Sequence, residues 1–195
     1  MTGETSGEAG PMIVLIGLMG VGKSSVGRRL AARLKLPFLD ADTEIEKAAG
    51  RTIEDIFEIH GEAHFRKGER RVIARLLSGP TCVLAAGGGA FLDPDTRALI
   101  RERGISIWLE GGLDLLVARV SRRPDRPLLK RGEPRDVLAK LIEERYPIYA
   151  EADLKVEVKD EPIETTVERV AEALAAYQKA TPASPRAAAS EKKIR

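Results

Sequence analysis

The sequence is poor in several residue types that mark whole classes of protein. Cys82 is the only cysteine among 195 residues, so the chain can form no internal disulfide, and we expect a cytoplasmic protein. Asparagine is absent, and the pattern Asp-x-x-Gly does not occur. A GTPase switch would need an Asn-Lys-x-Asp signature to recognise guanine, so these absences argue against that class.

An excess of one charge and long apolar runs are also missing. Lysines and arginines number 32 against 30 aspartates and glutamates, which leaves a net charge of +2 and gives no reason to expect nucleic acid binding. The apolar run 12–21 is too short to span a bilayer. Glu4 and Glu8 precede it where a signal peptide would carry positive charge. We expect no membrane or nucleic acid partner, and we expect a monomer.

The chain does contain a phosphate-binding loop. Residues 17–24 read Gly-Leu-Met-Gly-Val-Gly-Lys-Ser and fit G-x-x-x-x-G-K-[ST] at every fixed position. The glycines let the backbone approach a phosphate, and successive N–H groups form an anion-binding nest. Lys23 then contacts the outer phosphates, and the hydroxyl of Ser24 binds Mg²⁺. An apolar run, 12–16, precedes the loop and a helical pattern follows it, so we expect a nucleotide-binding protein.

Strands and helices alternate along the rest of the chain. Further strands are predicted at 36–39, 81–86, 105–109 and 154–158. Helices are predicted at 42–49, at 52–78 with a break near Gly61, between Pro94 and Gly104, at 113–120, at 135–145 and around 167–174. The alternation predicts an α/β fold, a parallel sheet with helices on both faces and ligands at the C-terminal ends of its strands.

The domain organisation follows from composition. We predict one domain over 11–179, with disordered segments at 1–10 and 180–195, where residues are small, polar or charged. Residues 122–134 are rich in Arg, Pro and Lys and are predicted to form a loop. That loop is either a lid that brings an arginine to a transferring phosphate or a solvated basic segment.

Two groups of candidate residues follow predicted strands. Asp40 and Asp42 share one side if the chain stays extended, so that one serves the metal and the other a substrate hydroxyl; alternatively, Asp42 only caps the next helix. The run Gly87-Gly88-Gly89 predicts either backbone pressed against a ligand or a tight turn.

Three other residues invite a functional interpretation that the pattern does not favour. His60 and His64 are four apart, but the glutamate between them is misplaced for the H-E-x-x-H zinc motif and Gly61 weakens the helix. Cys82 lies in an apolar strand and is expected to be an inert core residue.

Taken together, these motifs resemble the shikimate kinase family over roughly residues 12–175. The stretches that carry the resemblance are Gly17–Ser24, Phe38–Asp42, Gly50–Phe57, Gly61–Arg66, Gly87–Ala90 and Arg126–Leu129. The resemblance implies ATP-dependent phosphorylation of the shikimate 3-hydroxyl, on the way to chorismate and the aromatic amino acids. It also implies a P-loop three-layer fold like that of nucleoside monophosphate kinases. Its five parallel strands would lie in the order 2-3-1-4-5, with a mobile lid at about 122–134.

The resemblance also implies roles for individual residues. Lys23, Asp42 and Arg126 would be catalytic. ATP would be bound by Gly20, Val21, Gly22, Lys23, Ser24, Ser25, Arg119 and Arg126. Shikimate would be bound by Asp42, Arg66, Gly87, Gly88, Gly89 and Arg145, with the two arginines on its carboxylate. Ser24 and Asp40 would serve Mg²⁺, and Glu69 matches an acidic position near the metal and substrate. Ser25 departs from the family, where threonine is commoner.

Two rival functions share the phosphate-binding loop. A motor or nucleic-acid ATPase needs a strand that ends in a catalytic acid; the stretch 105–110 matches this weakly, without a basic surface run. A kinase of another small polyol such as gluconate would share the loop and a lid. It would not require Phe65-Arg66 and the three glycines, which a cyclic carboxylate substrate explains.

Overall fold

A computed structural model of the chain describes residues 10–122 and 132–181. The predictions for 1–9, for most of the lid including Arg126, and for 182–195 fall outside the described residues.

A five-stranded parallel sheet forms the centre of the fold. Its strands, in chain order, are β1 Met12–Ile16, β2 Phe38–Asp40, β3 Val83–Ala85, β4 Gly104–Gly111 and β5 Leu154–Val158. They lie in the order β2-β3-β1-β4-β5, so the predicted topology is confirmed. All five residues of β1 are buried, because both faces of this central strand are covered by helices.

Among the described residues, the first six helices connect consecutive strands and the seventh follows β5. They are α1 Lys23–Leu34, α2 Ala41–Ala49, α3 Ile53–Leu77, α4 Pro94–Arg103, α5 Leu113–Ser121, α6 Pro134–Tyr149 and α7 Ile163–Ala180, with a 3₁₀ turn at Ala90–Leu92. Within 10–122 and 132–181, no helix is long and apolar enough to cross a membrane.

Hydrophobic residues divide into two clusters. The larger one surrounds the sheet, and its fully buried members include Leu15, Ile107 and Leu116. The smaller one joins α2 to α3 through Ile45, Ile56, Phe65 and Val72. The two helices that carry Asp42 and Arg66 therefore have a packing unit of their own beside the main core.

Two helices test the sequence predictions directly. The break predicted near Gly61 is confirmed, since its φ of 77° and ψ of 173° interrupt the helical geometry of α3. The predicted end of α6 near Arg145 is wrong. The helix continues through Pro147 to Tyr149, although proline removes one backbone donor from a helix. This extension places Tyr149 one turn beyond Arg145, on the same face.

Candidate active site

The phosphate-binding loop lies between β1 and α1, as predicted. Gly17, Gly20 and Gly22 all have positive φ values, of 145°, 83° and 100°. The left-handed Gly22 is the N-cap of α1, so the first amide groups of the helix face the loop. The Lys23 ammonium lies across the loop and donates hydrogen bonds to the carbonyls of Gly17 at 2.8 Å and Leu18 at 3.2 Å. The loop therefore combines aligned amides with a fixed positive charge, an arrangement suited to phosphate.

A cavity of about 350 Å³ opens above this loop. Every described residue of the predicted ATP-binding set lines it, namely Gly20, Val21, Gly22, Lys23, Ser24, Ser25 and Arg119. Arg119 is fixed by hydrogen bonds to the carbonyls of Val21 and Lys159, each at 3.2 Å. It thus links the loop to the segment that follows β5.

Asp40 joins this cavity to helix α2. One of its carboxylate oxygens accepts a hydrogen bond from the Ser24 hydroxyl at 2.6 Å, and the other accepts from the backbone amide of Asp42 at 3.1 Å. Asp40 is therefore the N-cap of α2, which begins at Ala41. The expected extended geometry from Asp40 to Asp42 is wrong, and so is the alternative that Asp42 is the cap. Both carboxylates nevertheless line the cavity.

The three glycines come into contact with charged side chains. A Cβ at Gly87 would lie 2.8 Å from a carboxylate oxygen of Glu69 and 3.0 Å from one of Asp42. A Cβ at Gly89 would lie 2.2 Å from Nη1 of Arg66. Their φ values are not positive, so close approach, and not backbone conformation, requires glycine here. The glycine turn therefore packs directly against the side chains of Asp42, Arg66 and Glu69.

Arg66 and Glu69 form an ion pair beside this turn. Nη1 of Arg66 lies 2.7 Å from Glu69 Oε2, and Nη2 lies 3.2 Å from Glu62 Oε1. Glu69 is only 3% exposed. Burial raises the pKa of the Glu69 carboxyl, and the nearby Asp42 adds to this, while Arg66 and Arg145 oppose it. Burial disfavours the charge of Arg66, but its glutamate partners prevail and raise its pKa.

Arg145 reaches the same turn from α6. Its Nη1 donates a hydrogen bond to the carbonyl of Gly88 at 2.9 Å. Its Nε is buried and has no hydrogen-bond partner among the described residues. A buried charged donor without an acceptor is costly. Arg145 therefore has a donor available for a bound anion.

The structure brings the predicted site residues together at the C-terminal ends of the strands. The nucleotide set surrounds the cavity, the acceptor set surrounds the glycine turn, and Asp42 contacts both regions. Arg126 lies outside the described residues. Sequence reasoning missed Tyr149, a fully buried residue whose hydroxyl also donates to the Gly88 carbonyl. Its spacing of four from Arg145 was the available signal, but the helix was predicted to end near Arg145.

The two histidines lie apart from this site. The rings of His60 and His64 stack on α3 with centroids 4.6 Å apart. Among residues 10–122 and 132–181, no group of three or more His, Cys, Asp or Glu side chains is arranged to hold a metal ion. Any metal at the phosphate loop would therefore need oxygen ligands from other groups as well.

Comparison with known proteins identifies the family. The family model of shikimate kinase matches residues 19–175. The chain belongs to the shikimate kinase family. It is 59% identical over 173 residues to the shikimate kinase of Rhodopseudomonas palustris, which covers 89% of this chain and 85% of that protein. The shikimate kinase of Paramagnetospirillum magneticum is 59% identical over 172 residues, 88% of each chain.

A solved structure of the family agrees with the fold. The shikimate kinase from Acinetobacter baumannii in complex with shikimate has a TM-score of 0.82 at 38% identity, over 85% of this chain and 93% of that one. The resemblance stated from the sequence motifs is therefore confirmed at the level of family and fold.

Proposed function

We propose that this chain transfers the γ-phosphoryl group of ATP to the 3-hydroxyl of shikimate. One observation carries the proposal: a phosphate-binding cavity and a two-arginine cluster meet at the carboxylate of Asp42. The first suits a nucleotide, and the second suits a small acceptor with a carboxylate. Family membership supports the same pair of substrates, because the relatives that match over most of the chain are named shikimate kinase.

The nucleotide side supplies positive charge and aligned donors. Phosphoryl transfer needs positioning and electrostatic stabilisation more than covalent help. The amides at the start of α1 hold the phosphates, and Lys23 stabilises the negative charge on the transferring group. Arg119, fixed between Val21 and Lys159, lines the same cavity and suits the base. Arg126 remains a prediction that rests on the family resemblance.

Ser24 and Asp40 fit a magnesium ion. A hydroxyl and a carboxylate, 2.6 Å apart beside the phosphate loop, are the hard oxygen donors that Mg²⁺ accepts, usually together with phosphate oxygens and water. Mg²⁺ would neutralise phosphate charge there. Asp40 also caps α2, which keeps its carboxylate oriented toward the loop.

The acceptor side holds a carboxylate at one end and a hydroxyl at the other. Arg66 and Arg145 flank the glycine turn, and the unpaired Nε of Arg145 suits an anionic ligand. Asp42 lies nearer the phosphate loop and lines its cavity. There it orients the attacking hydroxyl and accepts its proton, while buried Glu69, with its raised pKa, holds Arg66 in place.

One assay with three acceptors tests the proposal. ADP release is measured with shikimate, with gluconate and with no acceptor, in the presence of Mg²⁺ and ATP. We expect turnover with shikimate and only background with the other two. Phosphorylation of gluconate, or ATP hydrolysis that does not depend on an acceptor, would contradict the assignment. Shikimate 3-phosphate in the product mixture, identified by mass spectrometry and NMR, fixes the position of transfer.

Asp42→Asn tests the role of the acceptor carboxylate. The substitution keeps the shape and removes the charge, so ATP binding should be near normal. Turnover should fall by at least about 10²-fold, the low end for a positioned acid or base. Calorimetric titration of both substrates accompanies the rates. A variant that binds and phosphorylates shikimate normally would remove Asp42 from the mechanism.

The monomeric state and the cytoplasmic location remain predictions, and light scattering tests the first.

A further inference from the structure

The C-terminal turn of α6 carries two side chains that meet at one backbone carbonyl. Arg145 and Tyr149 are four residues apart, and the helix continues between them, so they lie on one face. The Tyr149 hydroxyl and Nη1 of Arg145 both donate to the carbonyl oxygen of Gly88. This carbonyl thus has both of its acceptor positions filled by one helix.

Tyr149 is held as firmly as a core residue. It is fully buried, and its ring lies 6.2 Å from those of both Trp108 and Tyr146. Trp108 is on β4, so the ring of Tyr149 is fixed against the sheet. A phenol packed into the core in this way can fix the position of the group to which it donates.

Arg66 and Arg145 differ in the charge of the groups that hold them. Arg66 is paired with Glu62 and Glu69, which neutralise much of its charge. Within 10–122 and 132–181, no carboxylate forms an ion pair with Arg145. It is oriented by an uncharged carbonyl beside an uncharged phenol. Its hydrogen-bond partners are thus neutral, and Glu69 acts on its charge only at a distance, so the guanidinium keeps most of its charge for an anion.

We propose that Tyr149 is a positioning residue for the acceptor site. Through the Gly88 carbonyl it holds Arg145 in the orientation that receives the substrate carboxylate. It also holds the glycine turn, whose neighbours Gly87 and Gly89 pack against Asp42, Glu69 and Arg66. This inference rests on the proposed function, because it assigns the anion at Arg145 to the acceptor and not to the nucleotide.

Tyr149→Phe tests the proposal, because it removes the hydroxyl and keeps the ring. The loss of one uncharged hydrogen bond predicts a three- to tenfold fall, approximately, in kcat/KM for shikimate. KM for ATP should stay within about twofold, and calorimetry should show the same loss in shikimate affinity without turnover. A Tyr149→Phe enzyme with unchanged shikimate affinity, or with equal losses for both substrates, would overturn the proposal.

Tyr146→Phe is the matched control. Tyr146 lies on the same helix, contacts Trp108 at 5.0 Å between ring centroids, and donates its hydroxyl to the carbonyl of Gly111. It makes the same type of bond away from the glycine turn, so kcat/KM for shikimate should be unchanged. An equal loss in both variants would mean that tyrosine hydroxyls on α6 matter only for stability.

Two further measurements separate positioning from folding and from the proposed function. Tyr149→Phe should have a much smaller effect in an Arg145→Lys background, because the residue acts through Arg145; full additivity would contradict this. 4-Aminophenylalanine at position 149 keeps the ring and a donor, and should restore shikimate affinity even if the phenylalanine variant folds poorly; failure to restore it would count against a donor role. If the unmodified enzyme does not use shikimate, the proposed function fails before Tyr149 is tested.

Discussion

At the scale of single residues, the glycine turn and Arg66 compete for the same space. A methyl group at position 89 would lie 2.2 Å from Nη1 of Arg66. Gly89→Ala should therefore displace the guanidinium from Glu69 and from the acceptor. We expect KM for shikimate to rise at least about tenfold, because charge-assisted hydrogen bonds contribute about 1.5–3 kcal/mol each. Steady-state kinetics with each substrate varied in turn would measure this.

Gly112→Ala is the matched control for this substitution. Nothing lies within 4 Å of a Cβ at Gly112, which precedes α5 outside the acceptor site. The kinetic constants of Gly112→Ala should equal those of the unmodified enzyme. In Gly89→Ala, KM for ATP should also be unchanged. A normal KM for shikimate in Gly89→Ala would show that Arg66 can move aside without loss, and that its position is not important for binding.

At the scale of secondary structure, α3 contains a matched pair of glycines. Gly61 has φ 77° and ψ 173°, a conformation that other residues adopt only with strain, whereas Gly68 is helical with open space around it. Gly61→Ala should lower the free energy of unfolding by about 1–3 kcal/mol. Gly68→Ala should raise it by about 0.5–1 kcal/mol, because alanine favours the helix. Urea unfolding measures both, and effects of the same sign would contradict the assigned geometry.

The sequence predicted some of these elements better than others, for physical reasons. The P-loop, β1 and the break at Gly61 have local signals, and the structure agrees with all three. The starts and ends of helices depend on tertiary contacts. Asp40 is within reach of Ser24 only after β2 has joined the sheet, so this hydrogen bond could not be foreseen. The cap itself is a local contact, and two nearby aspartates, Asp40 and Asp42, were candidates for it. The helix predicted to end near Arg145 runs one turn further, and the contacts of Tyr149 hold that turn in place.

At the scale of the whole molecule, a thiol and a phenol with raised pKa values make the free energy of unfolding fall at alkaline pH. Burial raises the pKa of the Cys82 thiol to about 11. It is also the main cause that raises the pKa of the Tyr146 phenol to about 12. Above about pH 8.5 the unfolded thiol loses its proton while the folded one keeps it. The unfolded state then binds fewer protons, so the free energy of unfolding falls as pH rises toward 11, by about 1–3 kcal/mol for the thiol.

Cys82→Ala isolates the contribution of the thiol to this pH dependence. The variant loses some stability at every pH because it leaves a small cavity. Its loss between pH 8.5 and 11 should nevertheless be smaller than that of the unmodified protein, since the thiol no longer contributes. Denaturant unfolding at several pH values measures the two curves. Parallel curves would show that Cys82 does not resist ionisation in the folded protein.

The carboxylate of Asp40 has a consequence for how the two substrates affect each other. It bonds at once to a hydroxyl of the phosphate loop and to the first turn of the helix that carries Asp42. A nucleotide complex that draws Asp40 toward the loop must also shift that turn, so occupancy of one pocket alters the energy of the other. By linkage this coupling is reciprocal: each substrate changes the affinity for the other by the same factor. Titration of shikimate with and without Mg²⁺-ADP would measure this coupling. Identical affinities would mean that Asp40 does not couple the two sites.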